Sequence, residues 1–139
     1  MKMYLGIDFG TKKIGLAVGK KIPYDLVTIA NNDKVFEKIA TLCKQEKIER
    51  IVIGMPIFES GDQGTLSLEI EKFAEKLKAK TALPIYFEAE NLTTQTALDL
   101  LKEEGATPDE IENKVDQTAA RLILEQYIAN EEETLQEAL

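Results

Sequence analysis

An α/β domain on a mixed sheet is the fold class this sequence predicts, and three observations carry it. Three strand-like apolar runs follow one another within residues 4–30 with only short turns between them, the pattern of an antiparallel meander. From residue 35 onward, helix-period segments alternate with short apolar runs at 51–54 and 85–90, the order of a parallel sheet with crossover helices. The 139 residues are 44% hydrophobic, enough for one core and too few for a two-domain enzyme.

Taken in order, the strands are expected at Tyr4–Phe9, 14–18 and 26–30, with Gly10 and Thr11 in the first turn. Val35, Ile39, Leu42 and Cys43 recur at helical spacing. Ile51, Val52 and Ile53 then form a buried strand ending in Gly54-Met55-Pro56. Residues 58–65 read as a polar, glycine-bearing mobile loop before a helix that buries Ile70, Phe73, Ala74 and Leu77. Ile85–Glu90 is the next parallel strand, followed by a helix over 94–104 closed by Gly105. Thr107-Pro108-Asp109-Glu110 is a capping box that opens a short helix or turn. A separate last helix is expected over 114–129 with Asn113 as its N-cap, and with Ala119, Leu122, Ile123, Gln126 and Tyr127 on one face. The domain thus occupies 1–130, and 131–139 form a fraying acidic tail containing Glu131, Glu132, Glu133 and Glu137.

Composition excludes several chemistries. The chain has no histidine, so imidazole acid-base catalysis, serine or cysteine triads and imidazole metal ligands are absent. Its one cysteine, Cys43, forms no internal disulfide and is expected as a buried core thiol. Neither a leader nor an apolar run of membrane length is visible, which predicts a cytoplasmic protein without a membrane partner. A net charge of −8 repels polyanions overall, so a nucleic-acid partner requires a local basic patch. Lys12 and Lys13 in the first turn and Lys20 and Lys21 in the second are the candidates for such a phosphate-binding edge, with solvated turn lysines as the alternative.

Asp8 interrupts an apolar strand, where an isolated carboxylate is costly unless it is paired, hydrogen-bonded or bound to a cation. Capping of the Gly10 turn is the plainer explanation. Glu90 stands where its strand stops, and Asp116 shares a helical face with Ala119 and Ile123, although an acid in a helix's first turn also complements the dipole. Ligands of open parallel sheets gather beyond the strands' carboxyl ends. Asp8, Glu90 and Asp116 are expected to converge there as a hard-oxygen site suited to Mg2+ or Mn2+.

Four ordered segments strengthen this expectation: Ile7-Asp-Phe-Gly-Thr-Lys-Lys-Ile-Gly-Leu-Ala-Val18, Val52-Ile-Gly-Met-Pro56, Glu90-Asn-Leu-Thr-Thr94 and Val115-Asp-Gln-Thr-Ala-Ala120. Together they resemble the signatures of the YqgF/RuvX family, linked to Holliday junction resolution and to maturation of the 5' end of pre-16S ribosomal RNA. The resemblance covers Tyr4 to Ile128. It implies an RNase H-like fold: five strands, the first three antiparallel, with helices on both faces. It also implies that Asp8, Glu90 and Asp116 form a metal-dependent nuclease site acting on ribosomal RNA precursor or branched DNA, as a monomer or homodimer. Thr93 and Thr94 of the third segment join the lysines as candidate nucleic-acid contacts. The chain departs from the family pattern at Ala89 and Asn91, where relatives usually carry Asp and Arg, and it has no lysine or arginine between Met55 and Glu71. Two other functions stay open: a catalytically silent nucleic-acid or protein binding module, and an actin-like nucleotide-binding domain suggested by Asp8-Phe9-Gly10-Thr11.

Overall fold

The structure, a computed structural model, describes residues 2–56, 64–90 and 93–138. Five strands form one sheet in the order β3-β2-β1-β4-β5. Strands β1 (Tyr4–Phe9), β2 (Lys13–Gly19) and β3 (Tyr24–Ala30) are the expected antiparallel meander. Strands β4 (Arg50–Pro56) and β5 (Ile85–Glu90) add to β1 in parallel. Four helices complete the chain: α1 (Val35–Gln45), α2 (Gly64–Thr81), α3 (Thr93–Glu103) and α4 (Pro108–Ala138).

Alternation along the strands gives the sheet two buried faces. Leu5, Ile7, Leu16, Val18, Ile51 and Ile53 point to one side and pack on α1 and α2 through Val35, Ile39, Ile70, Phe73 and Leu77. Tyr4 and Val52 point to the other and meet Ile123, Leu124 and Ile128 of α4. Helix α3 lies against α4. Cys43 is a buried free thiol, and burial pushes its pKa up to about 11, so it is an inert core residue as expected. No helix among the described residues is long and apolar enough to cross a membrane.

The C-terminal third differs from expectation. The capping box forms, with Thr107 N donating to Glu110 Oε1 and Glu110 N donating to Thr107 Oγ1, both at 3.2 Å. It opens no short turn but a single helix that continues to Ala138. Asn113 is therefore not an N-cap, because Pro108 already supplies the first helical position. Helix α4 buries Ala119, Ala120, Ile123, Leu124 and Ile128, so its buried stripe is turned away from Gln126, which is exposed. Glu131 is no part of a frayed tail: it accepts hydrogen bonds from the Tyr4 hydroxyl at 3.0 Å and Arg50 Nη1 at 3.2 Å. The side chains of Glu132, Glu133 and Glu137 lie outside the described residues, as does the expected mobile loop over residues 57–63.

Candidate active site

Asp8 is the penultimate residue of β1 and belongs to the even positions that face α4. Its partner across the β1–β2 ladder is Gly15, and a Cβ on Gly15 would overlap the Asp116 carbonyl on α4. That missing side chain lets α4 settle directly onto β2 and brings Asp116 over the end of β1. Gly54 does the same for the third acid. A Cβ there would come 2.5 Å from Ile123 Cδ1 and 3.1 Å from Glu90 Oε2, so the Glu90 carboxylate occupies space a larger residue would fill. Asp8 and Glu90 thus stand at the carboxyl ends of parallel strands, with Asp116 above them on α4.

The electrostatics match this placement. Asp8 is largely enclosed by protein atoms while one edge stays partly exposed. Burial, then the Glu90 charge, then the Asp116 charge push its carboxyl pKa up to about 8. Burial also raises Asp116, and Lys13 pulls it back. The position of Asp116 in α4 decides between its two explanations: it lies two turns inside the helix, too deep to complement the N-terminal dipole.

Three carboxylates and no nitrogen or sulfur donor form the right chemistry for a hard divalent cation. As the side chains stand, no group of three His, Cys, Asp or Glu among the described residues is arranged to hold a metal ion.

The lysines separate. Lys12 and Lys13 are exposed on the β1–β2 turn beside Asp8. Lys20 and Lys21 occupy the β2–β3 turn at the opposite end of the sheet, where Gly19 pairs with Tyr4, so they do not join Lys12 and Lys13 in one edge. Successive turns of a meander always fall at opposite ends, so the first and second turns cannot share one phosphate-binding edge. Thr94 is exposed in the first turn of α3, just beyond Glu90. Asn91, Leu92 and the Thr93 side chain lie outside the described residues.

Side-chain ties between α4 and both edges of the sheet hold this geometry. Asp25 of β3 accepts from Thr118 Oγ1 and Arg121 Nε, both at 2.7 Å, and Thr28 Oγ1 donates to Gln117 Oε1 at 3.2 Å. At the other edge Gln126 Nε2 donates to the Ala89 carbonyl at 2.7 Å, and Asn130 Nδ2 donates to Glu88 Oε2 at 2.9 Å. These ties fix the rotation of α4 and hence where Asp116 points. Only Thr118, a hydroxyl among the alanines of the fourth segment, signalled such a partner in the sequence.

A mixed five-stranded sheet carrying acids at its carboxyl edge is the RNase H-like arrangement. The fold is shared with Thermus thermophilus RuvC in complex with a Holliday junction substrate, with a TM-score of 0.56 at 14% identity over 88% of this chain and 92% of that one. The chain belongs to the RuvX family, whose profile, described as Holliday junction resolvase, matches residues 2–130. It is 38% identical over 128 residues to a protein of Methylobacillus flagellatus, covering 88% of each chain, and 32% identical over 130 residues to one of Nitratidesulfovibrio vulgaris, covering 90% and 92%. Both relatives bear the name "Putative pre-16S rRNA nuclease". Family membership across the domain removes the basis for the actin-like reading.

Proposed function

We propose that the chain is a divalent-metal nuclease that hydrolyses phosphodiester bonds in structured nucleic acid, with Asp8, Glu90 and Asp116 as its metal-holding residues. One observation carries this: three carboxyl groups gather at the carboxyl edge of the sheet, with Asp8 enclosed and crowded by the charges of the other two, a crowding that a bound cation would relieve. Asp8, enclosed between the other two, is assigned the central place, with Glu90 and Asp116 on either side. Bound Mg2+ or Mn2+ would supply water activation and stabilisation of the leaving oxygen. Lys12 and Lys13 on the adjoining turn hold a neighbouring phosphate, and the exposed Thr94 hydroxyl at the start of α3 takes another. The names of the relatives favour ribosomal RNA precursor as substrate, and the family description favours branched DNA.

Cleavage of labelled precursor RNA and of a four-way DNA junction, with Mg2+, Mn2+ or EDTA, tests this. The wild-type chain cuts one of them only with metal, and Asp8→Asn abolishes cutting; activity that survives the substitution overturns the assignment. Lys12→Ala with Lys13→Ala weakens binding and flattens its salt dependence. The second reading, a silent binding module, is favoured by Ala89 beside Glu90 and by the unclosed carboxylate set. Metal-independent binding without cleavage of either substrate would establish it instead.

A further inference from the structure

On the opposite face of the sheet, one residue from Asp8, a groove of about 370 Å³ opens between the β1–β2 turn and α2. Its walls include Phe9, Thr11, Asn31 and Phe36, with Lys72 and Lys76 along one side. Lys72 and Lys76 are exposed and one helical turn apart, so both ammonium groups project over the same side. Phe73 lies between them in the floor, with ring centroids 5.0 Å from Phe9 and 5.2 Å from Phe36. Phe9 and Phe36 are half-buried and line the groove. Among the described residues Glu69 is the one acid in the lining against two lysines, so these side chains leave the groove with a small positive excess in a chain of net charge −8.

We propose that this groove seats the single strand of nucleic acid that flanks the bond cut at the carboxylate site. The inference rests on the nuclease reading. A cationic wall beside accessible aromatic rings is the pattern that holds a sugar-phosphate chain while its bases stack. The groove's volume of about 370 Å³ is on the scale of one nucleotide. Asp8 faces α4 and Phe9 faces α2, so a strand leaving the carboxylates reaches the groove by crossing the Gly10–Thr11 turn, past the exposed Lys12. The Asn31 amide donates to the Gly10 carbonyl at 2.9 Å and holds that turn in place.

A larger cavity, lined by Cys43, Lys44, Lys47 and Lys80, is also basic. It lies at the carboxyl ends of α1 and α2, where lysines offset the carbonyl ends of the helices, so its cations are already explained. No helix end accounts for Lys72 and Lys76, which lie mid-helix.

The test uses the full chain carrying Asp8→Asn, which binds without cutting, and two labelled RNAs: a blunt stem-loop and the same stem-loop with a single-stranded flank. Lys72→Ala with Lys76→Ala should lower affinity for the flanked RNA by about tenfold, and should reduce the slope of log affinity against log salt by about 1.4, the value for two single-strand phosphate contacts. Blunt stem-loop binding stays unchanged. Lys20→Ala with Lys21→Ala removes equal charge from the far end of the sheet and should alter neither RNA. If the two double variants behave alike, or if the blunt RNA loses as much affinity as the flanked one, the groove is not the flank site and the nuclease reading stands. If the Asp8→Asn chain binds neither RNA, the nuclease reading fails and the groove proposal falls with it.

Discussion

Asp8 sets the chemistry at the scale of a single residue. Its carboxyl pKa of about 8 in the folded chain lies well above the ordinary carboxylate value, because burial and two acidic neighbours oppose ionisation. Between about pH 4 and pH 8 the folded state keeps a proton that the unfolded state has released. Metal-free stability therefore falls as pH rises through that window, with about 6 kcal/mol as the upper bound set by a shift from 3.8 to about 8. Asp8→Asn should remove this contribution, leaving the variant more stable than wild type at pH 8 and close to it at pH 4. Urea unfolding in EDTA at several pH values checks this; parallel curves for the two proteins would mean that Asp8 is not strained by ionisation.

Elements place that residue, and the contact between β2 and α4 is the closest of them. At Gly15 a methyl group would strike the backbone of Asp116 and Gln117, which cannot rotate aside as a side chain can. Gly15→Ala should cost about 1–3 kcal/mol of stability, and should lower nuclease activity further than stability explains, since Asp116 rides on the displaced turn. Melting and turnover measured together separate the two effects; unchanged activity in the folded variant would detach the β2–α4 contact from the site. The meander, the β-α alternation and the capping box were legible because each is written locally, in spacing and turn chemistry. The reach of α4 is not, because the capping box at Thr107–Glu110 reads equally well as the start of a short helix or turn, and Asn113 then looks like the cap of a separate one. Asp116 consequently looked like a first-turn acid, and only the longer helix makes its site role the better explanation. The separation of Lys20 and Lys21 from Lys12 and Lys13 is topological, and their local sequence does not carry it. Nothing local marks Lys72 and Lys76, because their neighbours Phe9 and Phe36 come from elements distant in sequence.

Across the whole molecule, α4 is a beam tied to both edges of the sheet, through Asp25–Arg121 on β3 and through Glu88 and Ala89 on β5, while Glu131 joins Tyr4 and Arg50 near its end. The backbone of the carboxylate site is thus set before any ion arrives, and a cation binding there should stabilise the entire fold. By mass action, a metal at one hundred times its dissociation constant adds about 2.7 kcal/mol. A chain of net charge −8 also gains from simple screening, so the comparison must be made at equal ionic strength. Wild-type protein melted in Mg2+ or Mn2+ should then exceed its melting temperature in matched NaCl with EDTA by several degrees. Asp8→Asn and Asp116→Asn should each lose that excess while remaining folded, because each removes a donor from the set and relieves crowded charge. Equal metal-dependent gains in all three proteins would place the ion elsewhere on the acidic surface and leave the carboxylate cluster without the cation that its arrangement calls for.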